Sequence, residues 1–236
     1  MDLQQRKRWN ENHKHLTSIL TKAAEHEEAV KLFLNQHALL HSSNISQSKS
    51  ETLEDVLLQN LLEEPFRRYP AVTPDTRNSI AWHLWHIARI EDMTMNVLIG
   101  NREQIFHTGD WASKLGTRFM HTGNEMTEEE VAELSRSIDI PALLAYRRAV
   151  GLATREVIGA VQPGQFNRKV ETDRIRLLRD QGAVKEEATW LLDYWGKKTW
   201  AGLVLMPATR HNFVHLNKAI RIKQRKSQTS LDVEVL

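Results

Sequence analysis

The stretch from residue 78 to residue 100, NSIAWHLWHIARIEDMTMNVLIG, decides how this chain is read. It reads as one helix. Thr73-Pro74 upstream opens it, with threonine as N-cap and proline at the first helical position, and Gly100 stops it. It carries two histidines three residues apart, His83 and His86. Residues three or four apart on a helix share a face, with Cβ atoms about 5–6 Å apart. The spacing recurs at His37 and His41 in HALLH and at His211 and His215 in RHNFVH. One turn of helix can aim two imidazoles at one metal ion. A third from a facing helix closes a three-ligand site with an open position, which suits catalysis more than structure.

Outward from this stretch, apolar positions Leu16, Ile19, Leu20, Ala23, Ala24, Val30, Leu34 and Leu39 predict a long helix from about Asn10 to His41. Residues 42–51 form a polar loop, and a short helix follows, ended near Pro65. Residues 101–126 read as irregular. Thr127 and Glu130 form a capping box at the head of another helix, kinked or broken at Pro141 and stopped at Gln162-Pro163-Gly164. Residues 164–186 are ambiguous. From Glu187 to about Lys226 the chain reads as helical with a kink near Pro207. No run of alternating strands occurs. The fold class is therefore all-α, a four-helix bundle with short helices in its connections. Residues 1–226 form one domain, and 227–236 a loosely ordered tail.

Composition narrows the chemistry. The chain of 236 residues is 41% hydrophobic and 26% charged, ordinary for a soluble globular protein. A net charge of +2, without a dominant basic block, gives no footprint for nucleic acid. No cysteine is present, which excludes a disulfide framework, a thiolate metal site and a cysteine nucleophile. No signal-peptide core opens the chain, and no apolar run approaches a membrane span of about 18 residues. A cytoplasmic protein is expected. Neither a phosphate-cradling glycine loop nor a Gly-x-Ser-x-Gly elbow occurs, so any chemistry runs through a metal.

SIAWHLWHIARIED (79–92) and LMPATRHNFVHLNKA (205–219) together resemble the DinB-like (YfiT-like) superfamily of metal-binding four-helix bundles. Its pattern has one histidine on the second bundle helix, a small or apolar pair after it and an acidic residue five positions on, here His86, Ile87-Ala88 and Glu91. The last bundle helix carries His-x-x-x-His, here His211 and His215. Trp111, the TGN run at 122–124 and LLDYWGKKT at 191–199 resemble one of its subfamilies. The resemblance implies a divalent transition metal on His86, His211 and His215, zinc or nickel first, iron or manganese next. It also implies a homodimer and, as activities, transfer or isomerisation with a low-molecular-weight thiol.

Several residues admit two readings. His83 shares nearly the same face as His86 and is either a rival ligand or a donor behind the ligands. Glu91 and Asp92 either bind the metal or orient a ligand, as a carboxylate often does, or form a salt bridge to Arg89 or a neighbouring helix. His37 and His41 are either one packed and one exposed residue, or they face the same cavity and form a second metal site or use His41 as a proton shuttle. His107 and His121 are expected at the surface, and His13, His15 and His26 in solvent. Tyr146, Trp195 and Arg210 either line a pocket, where arginine suits an anionic substrate, or pack elsewhere. The leading expectation is a metalloenzyme acting on a small molecule, with metal-activated water giving hydrolysis or a metal-activated thiol giving S-transfer. The competing expectations are a non-catalytic metal-binding stress or sensor protein and a purely structural helical protein.

Overall fold

The computed structural model describes the backbone of residues 3–46 and 51–233 and the side chains of 4–46 and 51–225. The all-α expectation is met: helices dominate, and the described residues hold only two isolated β-bridges. The expected loose tail over 227–236 lies outside the described side chains. The backbone of the last helix is described as far as Val233.

The central element is the helix Ile80–Glu91, every residue of which is buried. A helix apolar around its circumference belongs inside a protein. It starts later than Thr73-Pro74 predicted. Thr73 turns its hydroxyl to the Thr76 carbonyl in a tight loop, and Ser79 caps instead, its Oγ accepting from the Trp82 N–H at 3.0 Å. Beyond Glu91 the helix widens into π turns over Asp92–Ile99 and stops at Gly100, as expected. A Cβ on Gly100 would lie 2.8 Å from Val157 Cγ2, so glycine allows the close crossing there.

The helix expected over residues 10–41 is divided. Leu3–Ile19 and His26–Ala38 form an antiparallel hairpin, tied where Gln36 donates to the Trp9 carbonyl and His15 meets Glu28. Folding back buries Leu16, Ile19 and Leu20 in one apolar cluster with Ala29 and Phe33. Pro141 marks a true break: Glu128–Ser137 ends, Asp139 caps, and Ile140–Ala160 begins with proline in its first turn. The capping box at Thr127 and Glu130 is present. Pro65 lies inside a short helix, Glu63–Arg67, rather than ending one.

The last helix runs Trp200–Leu205, then π turns over Met206–His211, then Asn212–Val233. Pro207 removes a backbone donor, and wider winding replaces the expected kink. Thr209 Oγ1 lies 3.0 and 2.9 Å from the Val204 and Leu205 carbonyls, and Asn212 Nδ2 donates to the Pro207 carbonyl at 3.0 Å.

The central helix packs against both Ile140–Ala160 and the last helix, and His26–Ala38 packs against Ile140–Ala160 and the Met206–His211 turns. Its two halves belong to different apolar clusters. Ile80 to Ala88 join Leu40, Tyr146 and Phe213, whereas Ile90 to Ile99 join Phe33, Phe166 and Trp195. Arg89, Glu91 and Asp92 form a polar waist between them. No helix among the described residues is long and apolar enough to cross a membrane.

Candidate metal centre

His86 comes from the middle of the central helix, and His211 and His215 from the end of the π turns and the first turn beyond. One donor atom from each of the three lies within 4.8 Å of the others. His86 Nε2 is 3.1 Å from His211 Nε2. Two donors on one ion with bonds of about 2.0–2.1 Å lie roughly 3.0–3.4 Å apart, so the rings already stand near ligand spacing.

The surroundings orient these rings. His86 Nδ1 lies 2.7 Å from the Thr122 carbonyl, which can only accept, so Nδ1 carries the proton and the Nε2 lone pair faces His211. Trp82 stacks on the His86 ring at 4.4 Å and 13°. Gly123, at a positive φ of 87°, brings the loop against that indole, where a Cβ would stand 3.2 Å from Trp82 Nε1. The TGN run at 122–124 thus supplies both the carbonyl and the close approach.

His83 does not displace His86. Its Nδ1 lies 2.9 Å from His215 Nδ1, and its Nε2 lies 3.1 Å from Thr76 Oγ1. In one tautomer set His215 donates to His83 and His83 donates to Thr76, which leaves His215 Nε2 unprotonated. His83 then stands behind His215, where the outer partner of a metal-bound histidine would stand.

All four imidazoles are held neutral. Burial lowers His86 to about 4 and His83 to about 3, and takes His211 and His215 well below the ordinary histidine value. The half-buried Lys218 pushes all four in the same direction. Neutral imidazole is the ligating form, so the donor set suits a divalent transition ion. His211 Nδ1 is buried without a partner, and His211 and His215 are less deeply buried than His86.

Glu91 and His41 do not join this cluster. Glu91 accepts from His37 Nε2 at 2.8 Å and from His41 Nε2 at 3.1 Å, and these three form a second, wholly buried group. Neither His37 nor His41 is exposed, contrary to one reading of the pair. Asp92 is the acid that pairs with Arg89, at 3.3 Å.

Other expectations are met in part, and His26, expected in solvent, is half-buried against Phe166. His121 is half-buried, accepts from the Gly123 N–H and is lowered by burial to about 4. His13 is half-buried against the Leu205 carbonyl and Thr209, whereas His15 and His107 are exposed. Tyr146 and Trp195 are core residues, and Tyr146 donates to Asp92 at 2.7 Å. Arg210 is exposed and bonds Asn10, whereas the charge that bears on all four histidines is that of Lys218. Sequence reading noted the TGN run but gave no role to Thr122, whose carbonyl leaves no side-chain signal, and missed Asn212, hidden between two conspicuous histidines.

The family model of the DinB superfamily matches residues 50–206, well over half of the chain. The chain belongs to the DinB superfamily. The superfamily is metal-binding, and the matched segment contains His83, His86 and Glu91 and ends before His211. Among solved structures, a conserved protein from Enterococcus faecalis is similar with a TM-score of 0.53 at 15% identity, over 81% of this chain and 95% of that one. At that identity the likeness concerns the fold alone. No curated protein matches the chain.

Proposed function

We propose that this DinB-superfamily protein is a metal-dependent enzyme whose divalent ion, zinc or nickel before iron or manganese, is held by His86, His211 and His215. The observation that carries the reading is the pinned His86 ring: the Thr122 carbonyl fixes its tautomer, and its free nitrogen meets His211 at 3.1 Å. When bound, the ion supplies Lewis acidity that lowers the pKa of a coordinated water or thiol.

The chain's own residues do the rest. His83 orients His215, and Trp82 shields the stacked face of His86. Lys218 adds positive potential beside the cluster, which favours an anionic substrate or a thiolate nucleophile. His211 and His215, less deeply buried than His86, mark the side from which a small molecule would approach. The reaction class is hydrolysis or S-transfer with a low-molecular-weight thiol. The working unit proposed is a homodimer.

The test is metal analysis of protein purified without added metal, followed by conjugation of a thiol to a model electrophile and by ester hydrolysis. The expected result is about one ion retained per triad and turnover lost on chelation. A bound ion with no turnover in either assay favours a metal-binding stress or sensor protein instead.

A further inference from the structure

The second group, His37, His41 and Glu91, is unlike ordinary core polarity because of its charge. The buried charged residues among those described are Glu54, Arg89, Glu91, Asp92 and Arg147. Arg89 pairs with Asp92, and Arg147 pairs with Glu54 at 2.5 Å. Glu91 is left without an arginine or lysine. Its partners are His37, His41 and Asn212 Nδ2, the last at 2.9 Å from Oε2. An ionised carboxylate this deeply buried needs a compensating cation.

The geometry offers a place for one. His37 Nε2 and His41 Nε2 stand 2.8 and 3.1 Å from the two oxygens of one carboxylate, and one donor atom from each residue lies within 4.8 Å of the others. Donors bound side by side on an ion at about 2.0–2.2 Å are about 3 Å apart, so an ion would enter with little movement. The scaffold is shaped around these rings. Gly151, on Ile140–Ala160, faces His41 so closely that a Cβ would stand 2.7 Å from its Nδ1. Asn212 is braced from behind by Arg147, which donates to its Oδ1 at 3.0 Å and to the Leu40 carbonyl at 2.7 Å.

We propose that His37, His41 and Glu91 form a second, buried divalent-metal site, separate from the triad of His86, His211 and His215. Two imidazoles and a carboxylate are a donor set for zinc, iron or manganese rather than for calcium or magnesium. Burial keeps His41 neutral, lowering it to about 3, so an ion has only the Nε2 proton shared with Glu91 to displace. Asn212 links the two sites, since it follows His211 directly and bonds Glu91. The rival compensation is a single proton on one imidazole.

The experiment loads the full-length, metal-stripped protein with Zn2+, removes free ion by gel filtration and counts zinc per chain. Two ions are expected in the wild type and one in His37→Ala/His41→Ala. One is also expected in His211→Ala/His215→Ala, so an ion retained there supports the inner site whatever becomes of the outer one. Glu91→Gln keeps the shape but removes the charge, and is expected to lose one ion. Anomalous scattering at the zinc edge from wild-type crystals needs no variant, and a peak is expected between His37, His41 and Glu91. A single ion in the wild type, with no inner peak, overturns the proposal and leaves the proton as the compensating charge.

Discussion

His211 and Asn212 are consecutive in sequence and serve two different clusters. His211 Nε2 stands 3.1 Å from His86 Nε2, while Asn212 Nδ2 donates to Glu91 Oε2 at 2.9 Å. The central helix shows the same division five residues apart, with His86 in the outer group and Glu91 in the inner one. Neighbouring residues on a helix point about 100° apart, so two adjacent helices can serve two groups side by side. The central helix therefore contributes to both groups and the last helix touches both, while His37 on His26–Ala38 and His41 just beyond it complete the inner one.

The outer triad should make stability depend on metal. A ligand bound only by the folded state adds RT ln(1 + [L]/Kd), about 2.7 kcal/mol at a hundredfold excess over Kd. For a chain of this size that is roughly 5–10 °C in melting temperature. His215→Ala should abolish that response for the outer ion, read by calorimetry with and without chelator. An unchanged melting curve after verified metal removal from the wild type counts against a tight site.

His83 should behave as an orienting group. His83→Ala removes the contact to His215 Nδ1 without removing a ligand. Losing such an outer partner typically costs about 10–100-fold in metal affinity. Competition with a chromogenic chelator should show that weakening at unchanged stoichiometry. Complete loss of one ion would make His83 a ligand in its own right.

Much of the outer site was legible because its residues obey local rules. His211 and His215 lie one turn apart, and the helix around His86 is marked by its apolar character and by Gly100. The inner site was legible only as a spacing. The distance in sequence from His41 to Glu91 is 50 residues, and nothing local announces that one carboxylate will serve both imidazoles. The hairpin within residues 3–38 was missed for a related reason. Helical periodicity persists on both arms, and only the need to bury Leu16 and Leu20 with Phe33 forces the chain back. Thr73-Pro74 misled because a good N-cap pair is also a good turn, and Ser79 stood closer to the first buried residue.

Gly151 should be intolerant of even one methyl. Its Cβ would stand 2.7 Å from His41 Nδ1 and 3.0 Å from Cε1, inside a wholly buried site. Overpacking of this kind costs typically 1–3 kcal/mol, so Gly151→Ala should lose about that much in urea unfolding. Gly159 lies on the same helix with nothing within 4 Å of its Cβ. Gly159→Ala should be neutral or gain up to about 1 kcal/mol from helix propensity. Equal responses at the two positions would show that His41 is free to move away.

Lys218 should matter to anions more than to folding. It is half-buried, and its charge bears on His83, His86, His211 and His215 together. Partly exposed charge interactions are worth up to about 1 kcal/mol. Lys218→Met should therefore weaken binding of a small thiolate to the cobalt-substituted protein by up to about fivefold, read from the visible spectrum. Binding of the metal itself should hold or tighten, since a repelling cation is gone. Unchanged thiolate affinity would remove Lys218 from the site.

Acid should destabilise the metal-stripped protein in a defined window. His86 falls to about 4 and His83 to about 3 in the folded state, through burial first, against about 6.5 when unfolded. Between those limits the unfolded chain binds more protons than the folded one, so stability rises with pH. Their contribution is complete above about pH 6.5 and declines as pH falls toward 4, by about 1.4 kcal/mol per unit for each such histidine. His211 and His215, lowered well below the ordinary value by burial, add to the same slope. Unfolding free energies at pH 7, 6, 5 and 4.5 should therefore fall with increasing steepness. His86→Asn should reduce the slope near pH 5 by about one proton. A wild-type slope flat from pH 7 to 5 would mean that these imidazoles are not held neutral by burial.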